Sequence, residues 1–191
     1  SAYACVDSLV RSKGHDGLHV VALFDNEEVG SRTKQGALSQ AFPALLEELY
    51  ASLGYTRREY RIDASDAFIL SLDVAHAMHP NVPEKCDITN MPRLGQGVAL
   101  KTAASQSYAG DAEAAAAVVA LCRRAHIPCQ RFVNRSDMPG GSTLGSLLSA
   151  NLPIRTMDVG IPILAMHSAR ELMGAADQKG LHDLVYTFFS I

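Results

Sequence analysis

Residues 67–81, which read AFILSLDVAHAMHPN, combine the two features on which the fold prediction rests. The first six residues are largely apolar, which is typical of a strand buried on both faces of a parallel sheet. From Asp73 onward the segment becomes more polar and includes His76 and His79. In α/β proteins, functional side chains gather in the loops that follow the carboxyl ends of strands. The segment therefore predicts a buried strand that delivers polar groups to a site.

The rest of the chain alternates between apolar runs of strand length and segments with helical periodicity. Further strands are expected at residues 18–24, 97–102, 129–133 and 154–159. Helices are expected at the start of the chain and at residues 38–53, 110–126, 143–150 and 164–173, while residues 181–189 fit either a helix or a strand. This alternation predicts an α/β fold, namely a three-layer α/β/α sandwich with a mixed, largely parallel central sheet.

Composition and charge argue against several classes of function. The 191-residue chain has a formal net charge of −3 and no basic patch, so nucleic acid is not an expected partner. No apolar run is long enough to span a membrane, so no membrane partner is expected. The four cysteines form no CxxC pair, which argues against a structural zinc ribbon. Four reduced thiols are typical of a cytoplasmic protein, which is the expected location.

The acidic pair Glu27 and Glu28 directly follows the apolar run at residues 18–24. Paired glutamates usually lie on a solvated surface, but this pair sits between an expected strand and Val29, not on a charged helix. Neighbouring residues in extended backbone point their side chains in opposite directions. One carboxylate can then bind a metal while the other faces an attacking water, and metal-assisted hydrolysis needs both roles.

Asp73, His76 and His79 form a second polar group, spaced three residues apart. Carboxylates and imidazoles without cysteine suit a catalytic zinc, manganese or cobalt site. A single histidine is more often a hydrogen-bonded surface or core residue, and the spacing is not that of an HExxH zinc motif. On these residues alone, a metal site and an ordinary polar loop both stay open.

Four blocks of the chain resemble the aspartyl aminopeptidase family of two-zinc exopeptidases. They are FDNEEVGS at 24–31, LDVAHAMHPN at 72–81, SDMPGGSTLG at 136–145 and IRTMDVGIPILAMHSARE at 154–171, in the family's order. The resemblance spans nearly the whole chain, and the combination of blocks is highly specific. It implies a zinc-exopeptidase fold with two divalent metal ions. Zinc is the expected metal, and manganese and cobalt are the alternatives.

The resemblance also implies roles for individual residues. Glu27 matches the catalytic general base, while Glu28, Asp73 and His167 match metal ligands. Three further residues match substrate-binding positions of the family, namely His76, Lys101 and Tyr108. Peptides are the implied substrates, and a large homo-oligomer is the implied assembly.

Other family features are not found in this sequence. The family also uses an upstream histidine, a metal-bridging aspartate and an inserted dimerisation domain. Residues 1–191 are therefore expected to be the C-terminal portion of a catalytic domain, incomplete at the N-terminus, and inactive when isolated. Ser107 stands where members of the family commonly have a basic residue, and Gly140 stands where they frequently have a cysteine. Both differences weaken the expectation of selectivity for acidic substrates.

The expected function is therefore that of a zinc metallo-aminopeptidase, a hydrolase that releases N-terminal Asp or Glu from peptides. Two alternatives remain open at this level. One is an aminopeptidase of the same architecture that prefers neutral N-terminal residues. The other is an inactive fragment that serves as an assembly module.

Overall fold

A mixed β-sheet forms the centre of the computed structural model, which describes residues 1–14 and 17–191. Its strands are β1 (Phe68–His76), β2 (Val98–Thr102), β3 (Cys129–Val133), β4 (Arg155–Leu164) and β5 (Leu172–Met173). The order is β1-β4-β2-β3, with β5 paired to β4. The pairings β1–β4 and β2–β3 are parallel, whereas β2 and β5 run antiparallel to β4. The prediction of a mixed sheet with mainly parallel pairing is confirmed.

Six helices are present in the described residues, namely α1 (Ala2–Arg11), α2 (Ala41–Ser52), α3 (Arg57–Asp66), α4 (Ala112–Arg124), α5 (Leu144–Asn151) and α6 (Ala175–Phe188). Helices α4 and α6 pack on one face of the sheet and α5 on the other, while α2 and α3 pack against each other. The apolar side chains of Met157, Val159 and Ile161 pack with α1, α4 and α6 in the main core. Side chains alternate along a strand, so Asp158 points to the opposite face, where α5 packs. Within the described residues, no helix is long and apolar enough to cross a membrane.

Helix α4 shows how local sequence sets an element. The Asp111 side chain caps its N-terminus by accepting a hydrogen bond from the Ala114 amide at 2.7 Å. An alanine-rich body favours the helix intrinsically, and Arg123 and Arg124 occupy its last turn, where cations favour the helix dipole. The helix predicted at residues 110–126 is thus confirmed, and it buries Val118 in the main core.

Two predicted elements have a different conformation. Residues 18–24 were expected to form a buried strand, but the structure shows no regular secondary structure there. Among the described residues no strand pairs with this run, and Leu23 is 62% exposed. An apolar run becomes a strand only where a neighbouring backbone edge accepts its hydrogen bonds, and sequence alone does not supply that neighbour.

The helix expected at residues 164–173 is also wrong. Strand β4 continues to Leu164, and β5 follows after a turn. Ala165 and His167 in that turn have left-handed backbone angles, with φ of 57° and 66°, which interrupt a right-handed helix. Residues 181–189, which fitted either element, belong mostly to helix α6.

Helix α3 was not predicted, although its start carries a recognisable signal. Thr56 and Glu59 form a capping box, in which each side chain bonds the backbone amide of the other residue. Its sequence is strongly polar, and Tyr60 is its buried residue. The absence of a clear apolar stripe explains why periodicity did not reveal the helix.

Candidate active site

A cavity of about 470 Å³ opens where the carboxyl ends of β1 and β4 meet the loop at residues 25–31. Its walls include all seven residues to which the family resemblance assigns roles, namely Glu27, Glu28, Asp73, His76, Lys101, Tyr108 and His167. These residues come from four separated segments of the chain. Parallel pairing of β1 with β4 places Asp73 opposite Gly160, so the loops after both strands converge on one side.

The acidic pair lies on a short 3₁₀ turn, Glu27–Val29, not on extended backbone as expected. Asn26 and Ser31 flank this turn with left-handed φ values of 59° and 57°. The side-chain amide of Asn26, through Nδ2, also donates to the Thr33 hydroxyl at 2.9 Å, which holds the loop. Because a 3₁₀ helix has three residues per turn, adjacent side chains diverge by about 120°. The two carboxylates therefore still point in different directions.

Glu28 and His167 meet across the cavity mouth. Glu28 Oε2 lies 2.8 Å from His167 Nε2, and both side chains are largely exposed. The His167 backbone amide donates to Glu171 Oε1 at 2.6 Å, which stabilises the strained turn that carries the imidazole. Two donors that match metal ligands in the family resemblance are thus already in contact.

Asp73 and Lys101 form a second contact deeper in the cavity. Lys101 Nζ donates to Asp73 Oδ2 at 3.2 Å and to the Val74 carbonyl oxygen at 2.9 Å. The ammonium also lies 4.5 Å from the ring centroid of Tyr108, within cation–π range. The Lys101 side chain is only 5% exposed, so these contacts compensate a buried positive charge.

The environment of the cavity shifts the pKa values of several groups. Burial raises the pKa of Glu27, and the negative charges of Asp73 and Glu28 raise it further. Burial lowers the pKa of His76, and the charges of Lys101 and His167 act in the same direction. Burial also raises the pKa of Tyr108. A carboxyl with a raised pKa is better matched to proton transfer near neutral pH than an ordinary surface glutamate.

The donor set fits a divalent metal ion in part. Carboxylate and imidazole groups suit zinc, and Glu28 with His167 supplies one of each at a single point. Asp73 is engaged by Lys101, and no group of three or more potential ligands is preassembled within residues 1–14 and 17–191. His79 is not among the lining residues of the cavity, and its Nδ1 accepts from the Asn81 amide at 3.2 Å. The described residues thus fit a metal ion only in part.

Some lining residues received no role from the sequence. Glu171 supports the His167 turn, and Phe132, Gly141 and Thr143 complete the wall beside Tyr108. Glu171 and Thr143 lie inside two of the resembling blocks, so the sequence did carry a signal for them. Phe132 carries none beyond its position in a buried strand.

Comparison with known proteins identifies the family of the chain. Residues 1–189 match the Peptidase_M18 family model, described as aminopeptidase I zinc metalloprotease. A curated relative from Clostridium novyi, "Probable M18 family aminopeptidase 2", is 49% identical over 177 residues, covering 93% of this chain and 41% of the relative. The chain therefore spans less than half the length of that relative.

Solved structures show the same relationship. An M18 family aminopeptidase from Thermotoga maritima superposes with a TM-score of 0.87 at 25% identity, covering 99% of this chain and 43% of that one. The mApe1 dodecamer of S. cerevisiae superposes with a TM-score of 0.73 at 30% identity, covering 87% and 36% respectively. By sequence and by structure, the chain belongs to the M18 family of aminopeptidase I zinc metalloproteases.

Proposed function

We propose that this chain is the C-terminal portion of the catalytic domain of a metal-dependent aminopeptidase. The observation that carries the proposal is the convergence of Glu27, Glu28, Asp73 and His167 on one cavity from separate strand ends. Family membership supports zinc as the metal. We assign the remaining metal ligands and a dimerisation domain to segments that precede this chain in the full-length protein.

In the proposed mechanism, Glu28, Asp73 and His167 would hold two metal ions together with ligands from outside the chain. When bound, the metal ions would polarise the scissile carbonyl and acidify a water molecule. Glu27 takes the proton of the attacking water and passes it to the leaving amine. His76, Lys101 and Tyr108 bind the substrate along the other wall of the cavity.

We further propose that the enzyme prefers N-terminal Asp or Glu. Lys101 supplies a positive charge and His76 a hydrogen-bond donor to the cavity, which suits an acidic side chain. Pairing of Lys101 with Asp73 favours the competing preference for neutral residues, since that ammonium is already partly neutralised.

Turnover of Asp-, Glu- and Leu-anilides by the full-length protein separates the two preferences. An acidic preference predicts higher kcat/KM for the first two substrates, and Lys101→Met should then reduce Asp-anilide turnover more than Leu-anilide turnover. Lys179→Met, on the exposed face of α6, is the matched control and should leave the ratio unchanged. Equal or higher turnover of Leu-anilide would contradict the acidic preference, and no turnover of any anilide would favour an inactive assembly module.

The assembly and location are also proposals. The dodecameric neighbour supports a homo-oligomer built from the full-length protein. Four free cysteines support a cytoplasmic location, where thiols stay reduced. Peptides are the substrates of the proposed reaction.

A further inference from the structure

Beneath the cavity lies a buried polar cluster that the proposed chemistry does not use. At its centre is Asp158, which is 0% exposed. Its carboxylate accepts hydrogen bonds from the Ser71 hydroxyl, the Ala109 backbone amide and, at 2.7 Å, the Thr143 hydroxyl. Ser71 and Thr143 are themselves only 3% and 2% exposed. Three donors from three segments therefore converge on one side chain.

Two of those segments form a wall of the cavity. Ala109 follows Tyr108, and Thr143 follows Gly141 and Ser142 at the start of α5. Tyr108, Gly141, Ser142 and Thr143 all line the cavity. The third donor, Ser71, lies on β1, whose backbone is already fixed by pairing with β4. Asp158 thus ties two loop segments to the rigid sheet.

Ala109 is held to Asp158 in both directions. Its amide donates to the Asp158 carboxylate, and its carbonyl oxygen accepts from the Asp158 amide at 2.9 Å. The two loop segments are also joined to each other, because the Thr143 amide donates to the Ser107 carbonyl oxygen at 3.2 Å. Tyr108 is therefore bracketed by bonds on either side.

The cluster has little space in which to rearrange. A Cβ atom added at Gly145 would lie 2.4 Å from Asp158 Oδ1 and 2.6 Å from Ser71 Oγ. Burial raises the pKa of Asp158, while the hydrogen bonds from Ser71, Thr143 and Ala109 and the charge of Lys101 oppose that rise. Because the Asp158 carboxyl is closely packed and does not line the cavity, it can act on the cavity only through its hydrogen bonds.

We propose that Asp158 is a positioning residue for substrate binding, which holds Tyr108 and the residue 141–143 segment in the geometry that receives the peptide. The inference rests on the proposed aminopeptidase function. Removing the carboxylate should loosen the wall and weaken peptide binding. Asp73 should stay in place, because its backbone is fixed by the β1–β4 ladder.

Asp158→Ala in the full-length protein should raise KM for the preferred anilide about tenfold or more, with kcat changed less than about threefold. Bound zinc should be unchanged. Asp158→Asn should restore KM, because its amide oxygen can accept from Ala109 and Thr143 while its NH₂ group donates to the Ser71 hydroxyl. The matched control is Asp177→Ala, which removes an equally buried carboxylate that accepts from the Gly95 and Gly97 amides, outside the cavity lining. It should leave KM unchanged.

Hydrogen exchange supplies a readout that does not depend on catalysis. Asp158→Ala should speed amide exchange in residues 103–110 and 140–145, and Asp177→Ala should not. If Asp158→Ala does not fold, Gly145→Ala replaces it, since the added methyl group displaces the same carboxylate without removing a donor. Gly145→Ala should give the same exchange pattern and the same rise in KM.

Three results would overturn the proposal. They are an unchanged KM in Asp158→Ala or its substitute, equal effects of the Asp158 and Asp177 variants, and a failure of Asp158→Asn to restore KM. A wild-type protein without peptidase activity would refute the proposed function instead. Exchange then decides alone: selective loosening of the two segments supports the positioning role, and no selective loosening overturns it.

Discussion

At the residue scale, Asp7 shows how one side chain joins two helices far apart in sequence. Its carboxylate lies 2.7 Å from His182 Nε2 on α6 and accepts from Arg11 Nε on its own helix at 2.9 Å. The neighbouring Ser8 hydroxyl donates to the His182 carbonyl oxygen at 3.2 Å. The hydrogen bond to His182 is the main cause that lowers the pKa of Asp7, and Arg11 contributes as well.

This lowered pKa predicts an acid-sensitive contact between α1 and α6. The carboxyl has an ordinary pKa of 3.8, and the folded chain holds it ionised more firmly than the unfolded chain does. Its contribution to stability is therefore fully present above that pH and is lost as pH falls through the lower, folded pKa. Asp7→Asn should remove this component, so that the variant loses less stability than the wild type on acidification.

Thermal unfolding between pH 7 and pH 2 measures the difference, because the loss begins near pH 3.8 and continues below it. Glu48→Gln is the control, since this exposed carboxylate on α2 should leave the acid dependence as it is in the wild type. Parallel pH curves for Asp7→Asn and the wild type would show that the contact carries no acid-dependent stability.

At the element scale, helix α3 depends on the capping box at its start. Glu59 N lies 3.3 Å from Thr56 Oγ1, and Thr56 N donates to Glu59 Oε2 at 2.7 Å. Because α3 buries little apolar surface, these two bonds account for a larger share of its stability than caps do in buried helices.

Thr56→Ala should lower the free energy of unfolding by about 1 kcal/mol, the usual cost of losing an N-cap side chain. Urea unfolding followed by circular dichroism measures the change. Ser65→Ala, near the end of the same helix, is the control and should stay within about 0.5 kcal/mol of the wild type. A Thr56 variant as stable as the control would mean that tertiary contacts alone hold the helix.

The elements that sequence predicted well are those with local causes. Helix α4 has its cap at Asp111 and its own alanine-rich body, and β2 begins with the apolar residues Val98, Ala99 and Leu100. The strand predicted at residues 18–24 was wrong because a strand forms only beside the edge of a partner strand. The helix predicted at residues 164–173 was wrong because hydrophobic periodicity does not reveal the left-handed backbone angles at Ala165 and His167.

In the candidate site, too, local features could be predicted from the sequence and long-range contacts could not. Its residues could be grouped from sequence because polar groups beyond strand ends gather at one edge of the sheet. Their contacts could not be predicted, because the Lys101–Asp73 and Glu28–His167 pairs join residues far apart in the chain. The 3₁₀ turn at Glu27 is set by the left-handed backbone of Asn26 and Ser31, which most residue types disfavour.

At the scale of the whole molecule, we propose that the chain supplies part of a two-metal site. Glu28 and His167 form one contact, and Asp73 is held by Lys101. The curated relative from Clostridium novyi is more than twice as long as the region it shares with this chain, which leaves room for further ligands elsewhere in such proteins.

The isolated 191-residue chain should therefore not bind two zinc ions stoichiometrically or hydrolyse peptides, whereas the full-length protein should do both. Equilibrium dialysis with a competing chelator, followed by metal analysis, gives the stoichiometry. His167→Ala in the full-length protein is a control for the sensitivity of the assay, because the loss of one ligand should weaken zinc binding. Two tightly bound zinc ions per isolated chain would contradict the division of the site.

We propose Glu27 as the general base beside the metal ligands of the cavity, so Glu27→Gln in the full-length protein should remove the chemistry and keep the metal. The kcat should fall about 10²–10⁴-fold with the zinc content unchanged, because glutamine keeps the shape of the side chain but cannot take the proton. Glu48→Gln should retain wild-type kcat. Full activity in Glu27→Gln, measured with the metal bound, would exclude Glu27 as the general base.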